Sequence, residues 1–196
     1  GVVLSAICRP QIGARLPRHS HPLPACQFVE RRGGDAERAG DHIETEFHVA
    51  DGDVAGSLAS PFAQDHWVLK ISSSGTLEWS QALGGTQLDN GTKLIQLSDG
   101  GFLQCFAATD SNDGDVTNNH GGQDAWLVKL SAVGSIEWAR TIGGSDSDGG
   151  NDVLELDNGD ILFAGSTASN DGDVPSNQGE RDALLVELRY REGAPP

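Results

Sequence analysis

The tetrapeptide Asp-Gly-Asp-Val occurs three times, beginning at Asp51, Asp113 and Asp171, so its copies lie 62 and 58 residues apart. A repeat of that length restricts the architectures open to the chain, because one supersecondary unit is built again and again and each copy buries its apolar face on its neighbour. Every opening is followed by an aspartate and a short apolar run: Asp65-His66-Trp67-Val68-Leu69-Lys70-Ile71, Asp124-Ala125-Trp126-Leu127-Val128-Lys129-Leu130 and Asp182-Ala183-Leu184-Leu185-Val186-Glu187-Leu188. Runs this short, rich in aliphatic and aromatic residues, read as buried strands.

In the two complete copies a polar loop ending in glycine (Ser72 to Gly75, Ser131 to Gly134) leads to Thr76-Leu77-Glu78-Trp79 and Ser135-Ile136-Glu137-Trp138, the pattern of a hairpin. Gly84-Gly85 and Gly143-Gly144 follow, then Leu94 to Leu97 and Val153 to Leu156. The turns Asp99-Gly100-Gly101 and Asn158-Gly159-Asp160 lead into the last strands, Phe102 to Cys105 and Ile161 to Ala164. Each copy thus holds four strands. A period near sixty exceeds the roughly 20–45 residues of a solenoid coil. The expected fold is all-β, made of four-stranded antiparallel β-propeller blades: blade one over 47–112, blade two over 113–170 and the start of a third over 171–196. A β-sandwich of two four-stranded sheets is the alternative. Residues 1–46 match no unit and are expected to be poorly ordered.

The formal charge of −16 falls entirely in residues 51–196, because residues 1–50 hold equal numbers of arginines and acids. So acidic a repeat region repels phosphate backbones, which argues against nucleic acid, and favours cations or basic partners. No apolar run, the segment Val2 to Ile7 included, approaches the ~20 residues of a spanning helix. Cys8, Cys26 and Cys105 lack metal-ligand spacing. Cys105 reads as a small buried hydrophobe aligned with Phe163, and Cys8 with Cys26 is a pair that an oxidising compartment would allow.

Calcium is the cofactor the acidic turns would suit. Asp110, Asn112, Asp113 and Asp115, and Asp146, Asp148 and Asp152, gather oxygen ligands around glycines, although neither group keeps the EF-hand spacing. The same residue types also make tight turns through side-chain-to-backbone bonds, and that reading is favoured. Trp67, Trp79, Trp126 and Trp138 recur at equal spacing; they read first as packing between units, and second as ligand-binding aromatics for a sugar. For catalysis the chain offers no nucleophile elbow, phosphate loop or Cys-x-x-Cys, and His66 and His120 give way to Ala125 and Gln178 in the next copies.

The order Asp-Gly-Asp-Val, Asp-x-Trp-Leu-Val-Lys-Leu, Ile-Glu-Trp, Gly-Gly over residues 51–196 resembles the tandem repeats of large bacterial secreted or cell-surface proteins of the β-propeller, Kelch-like kind. The Gly-x-x-Glu-Trp segments are also similar to quinoprotein-type blades. The resemblance implies a non-catalytic extracellular or cell-surface segment, the periplasm being a further location, that recognises protein or carbohydrate or serves as a scaffold. A lectin that closes its ring by homo-oligomerisation is one alternative, and a fragment of a propeller enzyme of quinoprotein or hydrolase type another. Two blades and the start of a third cannot close a ring. The strand Asp182 to Leu188 is therefore expected to pair with a further blade, from a longer chain or from a second copy.

Overall fold

The computed structural model describes residues 66–72, 74 and 76–189, together with the backbone of residues 2–9 and 25–30. In chain order the strands are β1 (Val2–Arg9), β2 (Ala25–Glu30), β3 (His66–Ile71), β4 (Leu77–Leu83), β5 (Asp89–Gln96), β6 (Phe102–Thr109), β7 (Asp124–Leu130), β8 (Ile136–Ile142), β9 (Asp148–Glu155), β10 (Ile161–Thr167) and β11 (Asp182–Leu188). Among the described residues there is no helix, and all strand pairs are antiparallel. The described part of the chain is all-β and built of antiparallel sheets. The first opening, Asp51 to Val54, and Asp65 lie outside the described residues.

Among the described residues three sheets form, in the orders β2-β1-β3-β4, β5-β6-β7-β8 and β9-β10-β11. Tight turns set the hairpins. Gly134 at φ 85°, Gly100 at φ 84° and Gly159 at φ 82° supply the left-handed residue that lets β7–β8, β5–β6 and β9–β10 reverse within a few residues. The Gly-Gly segments do something else: Gly84-Gly85 and Gly143-Gly144 carry the chain out of one sheet and into the next. The sequence copies and the hydrogen-bonded sheets are therefore out of step by two strands. Copy 113–170 gives β7 and β8 to the second sheet and β9 and β10 to the third. The backbone of residues 2–9 and 25–30 forms two strands of the first sheet, where β1 pairs with β2 and with β3. Their backbone register sets Cys8 opposite Cys26; the side chains lie outside the described residues.

Alternation along β7 puts its two faces in two cores. Trp126, Val128 and Leu130 join Phe102 and Phe106 against Val68 and Leu83 of the first sheet. Ala125 and Leu127 join Leu103, Cys105, Trp138 and Ile142 against Val153, Ile161, Phe163 and Leu188 of the third. With both faces covered, β7 is buried at every position, which is why its sequence is nearly continuous in apolar residues. A fully buried side chain such as Leu127 contributes about 2 kcal/mol.

Register corrects one alignment. Gln104 lies opposite Val128, and Phe163 opposite the equivalent Val186, whereas Cys105 lies opposite Leu127 and Ala164 opposite Leu185. Cys105 therefore occupies the place of Ala164, not Phe163. The shift arises where β6 bulges between Phe106 and Thr109, so that equal spacing from the next opening no longer means an equal place in the sheet. Cys105 is fully buried, as its composition implied, and burial pushes its thiol up to about 12.

Candidate functional site

The acidic motifs are occupied in joining one sheet to the next. The first aspartate of each described opening sits on a Gly-Gly crossing: a Cβ at Gly85 would lie 2.4 Å from Asp113 Oδ1, and one at Gly144 would lie 2.4 Å from Asp171 Oδ1. Asp113 accepts from the backbone N–H of Thr86 at 2.8 Å and from its hydroxyl at 2.8 Å, and Asp171 accepts from the Ser145 N–H at 2.7 Å. Those bonds from Ser145 hold the Asp171 carboxyl below the usual carboxylate range. The backbone N–H of Asp115 and of Asp173 donates to the carbonyl of Gly84 and of Gly143, at 3.0 and 2.9 Å. Gly114 and Gly172, both at φ 63°, make the bend that allows it.

A second recurring network lies behind the first. Asp89 accepts from Gly85 N–H at 2.8 Å, Ser111 Oγ at 2.9 Å and Thr109 Oγ1 at 2.5 Å. Asp148 repeats two of these bonds, from Gly144 N–H and Ser169 Oγ, both at 2.7 Å. Asn112 accepts from Asn119 N–H, and Asp110 from Gln123 Nε2. Asp152 pairs with Lys93 at 2.7 Å, and Asp146 is exposed with its backbone N–H on Ser169 Oγ. The seven candidate calcium ligands are thus spread over several turns and strands. Among the described residues no three His, Cys, Asp or Glu side chains converge as a metal centre would need.

The four tryptophans part company. Trp67 and Trp126 are buried core residues at 2% and 0% exposure and offer no face to a sugar ring. Trp79 is half-buried and reaches from the first sheet to the second. Trp138, at 8% exposure, packs in the core between the second and third sheets and also shows an edge to an open cleft of about 540 Å³.

That cleft lies where the β6–β7 loop, β8 and the third opening meet, and Asn118, Asn119, His120, Arg140 and Asp173 line it beside Trp138. Its floor is fixed. Thr141 Oγ1 donates to the carbonyls of Asn118 at 2.7 Å and Thr117 at 3.3 Å, and Asn118 takes φ 61°, a conformation asparagine tolerates better than most residues. The Asn119 amide donates to the carbonyls of Thr109 and Ser111, both at 3.1 Å. Arg140 faces Asp173 across the opening at 3.6 Å. His120 is held by Asp124, whose Oδ2 accepts from the His120 N–H at 2.9 Å and lies 3.0 Å from Nδ1. Burial pushes the Asp124 carboxyl above its ordinary value, the bonds from His120 working against that.

The cleft supplies amides, a guanidinium, a carboxylate, an imidazole and an indole edge. These are means of holding a polar ligand in a chosen orientation. The sequence marked only Trp138 of this group. The others come together because a loop of one copy meets the opening of the next, which no single repeat reveals. No protein-family model matches the chain, and no curated protein matches it.

Proposed function

We propose that this chain is a non-catalytic segment of an extracellular or cell-surface β-propeller, built to recognise a polar ligand, a glycan or a protein segment, on a rigid scaffold of stacked sheets. The observation that carries this reading is the polar cleft beside Trp138, whose walls are held by hydrogen bonds from Thr141 and Asn119 and by the Arg140–Asp173 ion pair between successive copies. Such preorganisation favours binding, because little conformational freedom remains to be lost when a ligand enters. The motif aspartates support the scaffold half of the reading, since the same bonds to the Gly-Gly crossings recur from copy to copy.

The test is a glycan-array and peptide-array screen of the intact chain beside Arg140→Ala and Asn118→Gly variants. Binding of a polar ligand that is lost in Arg140→Ala, with thermal stability kept, supports the reading. A ligand bound equally by all three proteins would place recognition elsewhere on the molecule and overturn it.

A further inference from the structure

Two carboxyl groups meet inside the crossing from the second sheet to the third. Asp124 is 0% and Asp148 1% exposed, and neither has a hydrogen-bond donor on its Oδ1 among the described residues. The Asp148 N–H donates to the carbonyl of Gln123, the residue before Asp124, so the two backbones are tied together. Gly143 lies between the side chains: the point its Cβ would occupy is 2.4 Å from Asp124 Oδ1 and 2.6 Å from Asp148 Oδ2. The bare glycine therefore leaves Asp124 Oδ1 turned toward the Asp148 carboxyl.

The other oxygens are already engaged. Asp124 Oδ2 holds His120, and Asp148 Oδ2 accepts from Gly144 N–H and Ser169 Oγ. At the preceding crossing Asp89 stands in the place of Asp148, and Thr109 Oγ1 donates to its Oδ1 at 2.5 Å. Thr167, the counterpart of Thr109, accepts from Ser169 N–H in the same way but gives Asp148 Oδ1 no such bond. A buried carboxylate oxygen without a partner is costly, and a second carboxylate beside it adds repulsion. Water could satisfy the lone pairs but would leave the two charges facing one another; a divalent cation satisfies both and removes the repulsion.

We propose that Asp124 and Asp148 hold a hard divalent cation of the calcium class between their carboxyl groups, with carbonyl oxygens and water as its other ligands. Two carboxylates are fewer than a closed acidic cage supplies, so the site is weak, with a Kd of about 10⁻⁴–10⁻³ M, the range of extracellular modules. Of the residues the sequence marked for calcium only Asp148 takes part; Asp124 heads an apolar strand and gave no sign of it. Through Asp124 Oδ2 the ion also steadies His120 at the cleft, whatever the cleft binds.

Calorimetric titration of calcium or magnesium chloride into the chelator-treated intact chain tests it, at about 0.15 M salt so that diffuse attraction to the acidic surface is screened. One ion per chain is expected to bind. Asp124→Asn and Asp148→Asn keep the shape of the side chain and should each weaken binding by about tenfold or more, since even outer-shell partners of a metal cost that much. Asp146→Asn, exposed on the same crossing, should leave the affinity unchanged. In chelator Asp124→Asn is the more stable protein, being rid of the repulsion, and calcium raises the melting temperature of the native chain but not of this variant. Amide exchange over 121–124 and 143–148 of the native chain should slow with the ion, a readout that needs no substitution. No saturable binding of either salt below about 10 mM, an affinity kept in Asp124→Asn or Asp148→Asn, or unaltered exchange in the native chain would each overturn the proposal and leave the pair bridged by water or a shared proton.

Discussion

The indole N–H of Trp79 donates to the carbonyl of Ala132 at 3.2 Å, so a strand of the first sheet is tied to the β7–β8 turn of the second. The ring also stands edge-on to Phe102, centroids 5.7 Å apart, and covers Gly134, where an added Cβ would lie 2.6 Å from it. Gly134 is thus required twice, by its φ of 85° and by the indole above it.

Trp79→Phe should keep most of the packing and lose the hydrogen bond, lowering the unfolding free energy by about 1 kcal/mol. Gly134→Ala should cost about 2 kcal/mol, because it combines backbone strain with displacement of the ring. In the double variant the two losses should sum to less than their separate values, since Phe leaves room for the new methyl group. Urea denaturation of the three variants measures all of this. A neutral Gly134→Ala would show that the turn is looser than its contacts imply.

His66 adds a pH dependence. It is 1% exposed, with its ring edge-on to Phe106 at 5.1 Å, and burial lowers its pKa from 6.5 to about 4, against a smaller upward pull from Gln104. The unfolded chain therefore takes up a proton that the folded chain refuses. The contribution is whole above pH 6.5 and is lost as pH falls toward 4, amounting to about 2 to 3 kcal/mol over that window. His66→Phe keeps a ring against Phe106 and should flatten that part of the stability profile. Denaturation midpoints for both proteins at pH 7.5, 5.5 and 4.5 give the comparison, and parallel profiles would remove His66 as the cause.

The strands of the repeat region were legible where each carries its own apolar signal, whereas β1 and β2 match no repeat and β5 and β9 begin at Asp89 and Asp148, before their apolar residues. Ala125 to Val128 is an unbroken apolar run, and Gly134 and Gly100 punctuate hairpins that the structure contains. The grouping of strands into sheets was not legible. Gly143-Gly144 and the longer 110–123 loop both look like connections, and only the pairing of β6 with β7 shows which of them stays within a sheet. The bulge at Phe106 moved Cys105 off its apparent partner for a related reason, since one extra residue leaves no mark in the composition of a strand. The cleft was hidden further still. Arg140 and Asp173 belong to different copies and are brought face to face by the stacking of sheets.

Asp124 and Asp148 make a costly neighbourhood beneath that cleft. Both are buried, and a Cβ at Gly143 would lie 2.4 Å from Asp124 Oδ1 and 2.6 Å from Asp148 Oδ2, so the two carboxylates flank one glycine. Asp124 Oδ1 has no hydrogen-bond donor among the described residues. Burial raises the Asp124 pKa first, and the charge of Asp148 adds to it. The folded state therefore holds the Asp124 proton more tightly than the unfolded state does. Its stabilising share is whole below the unfolded value of 3.8 and is lost as pH rises through the raised folded value, which leaves a penalty at neutral pH. Asp124→Asn removes that charge, can still accept from the His120 N–H, and sets an amide N–H where Oδ1 faced Asp148. The variant should be more stable than the native chain by about 1 kcal/mol at pH 7, with the advantage shrinking toward pH 4. Thermal melts across that range decide the matter: a variant less stable than the native chain at pH 7 would mean that the ionised carboxylate is needed to hold His120.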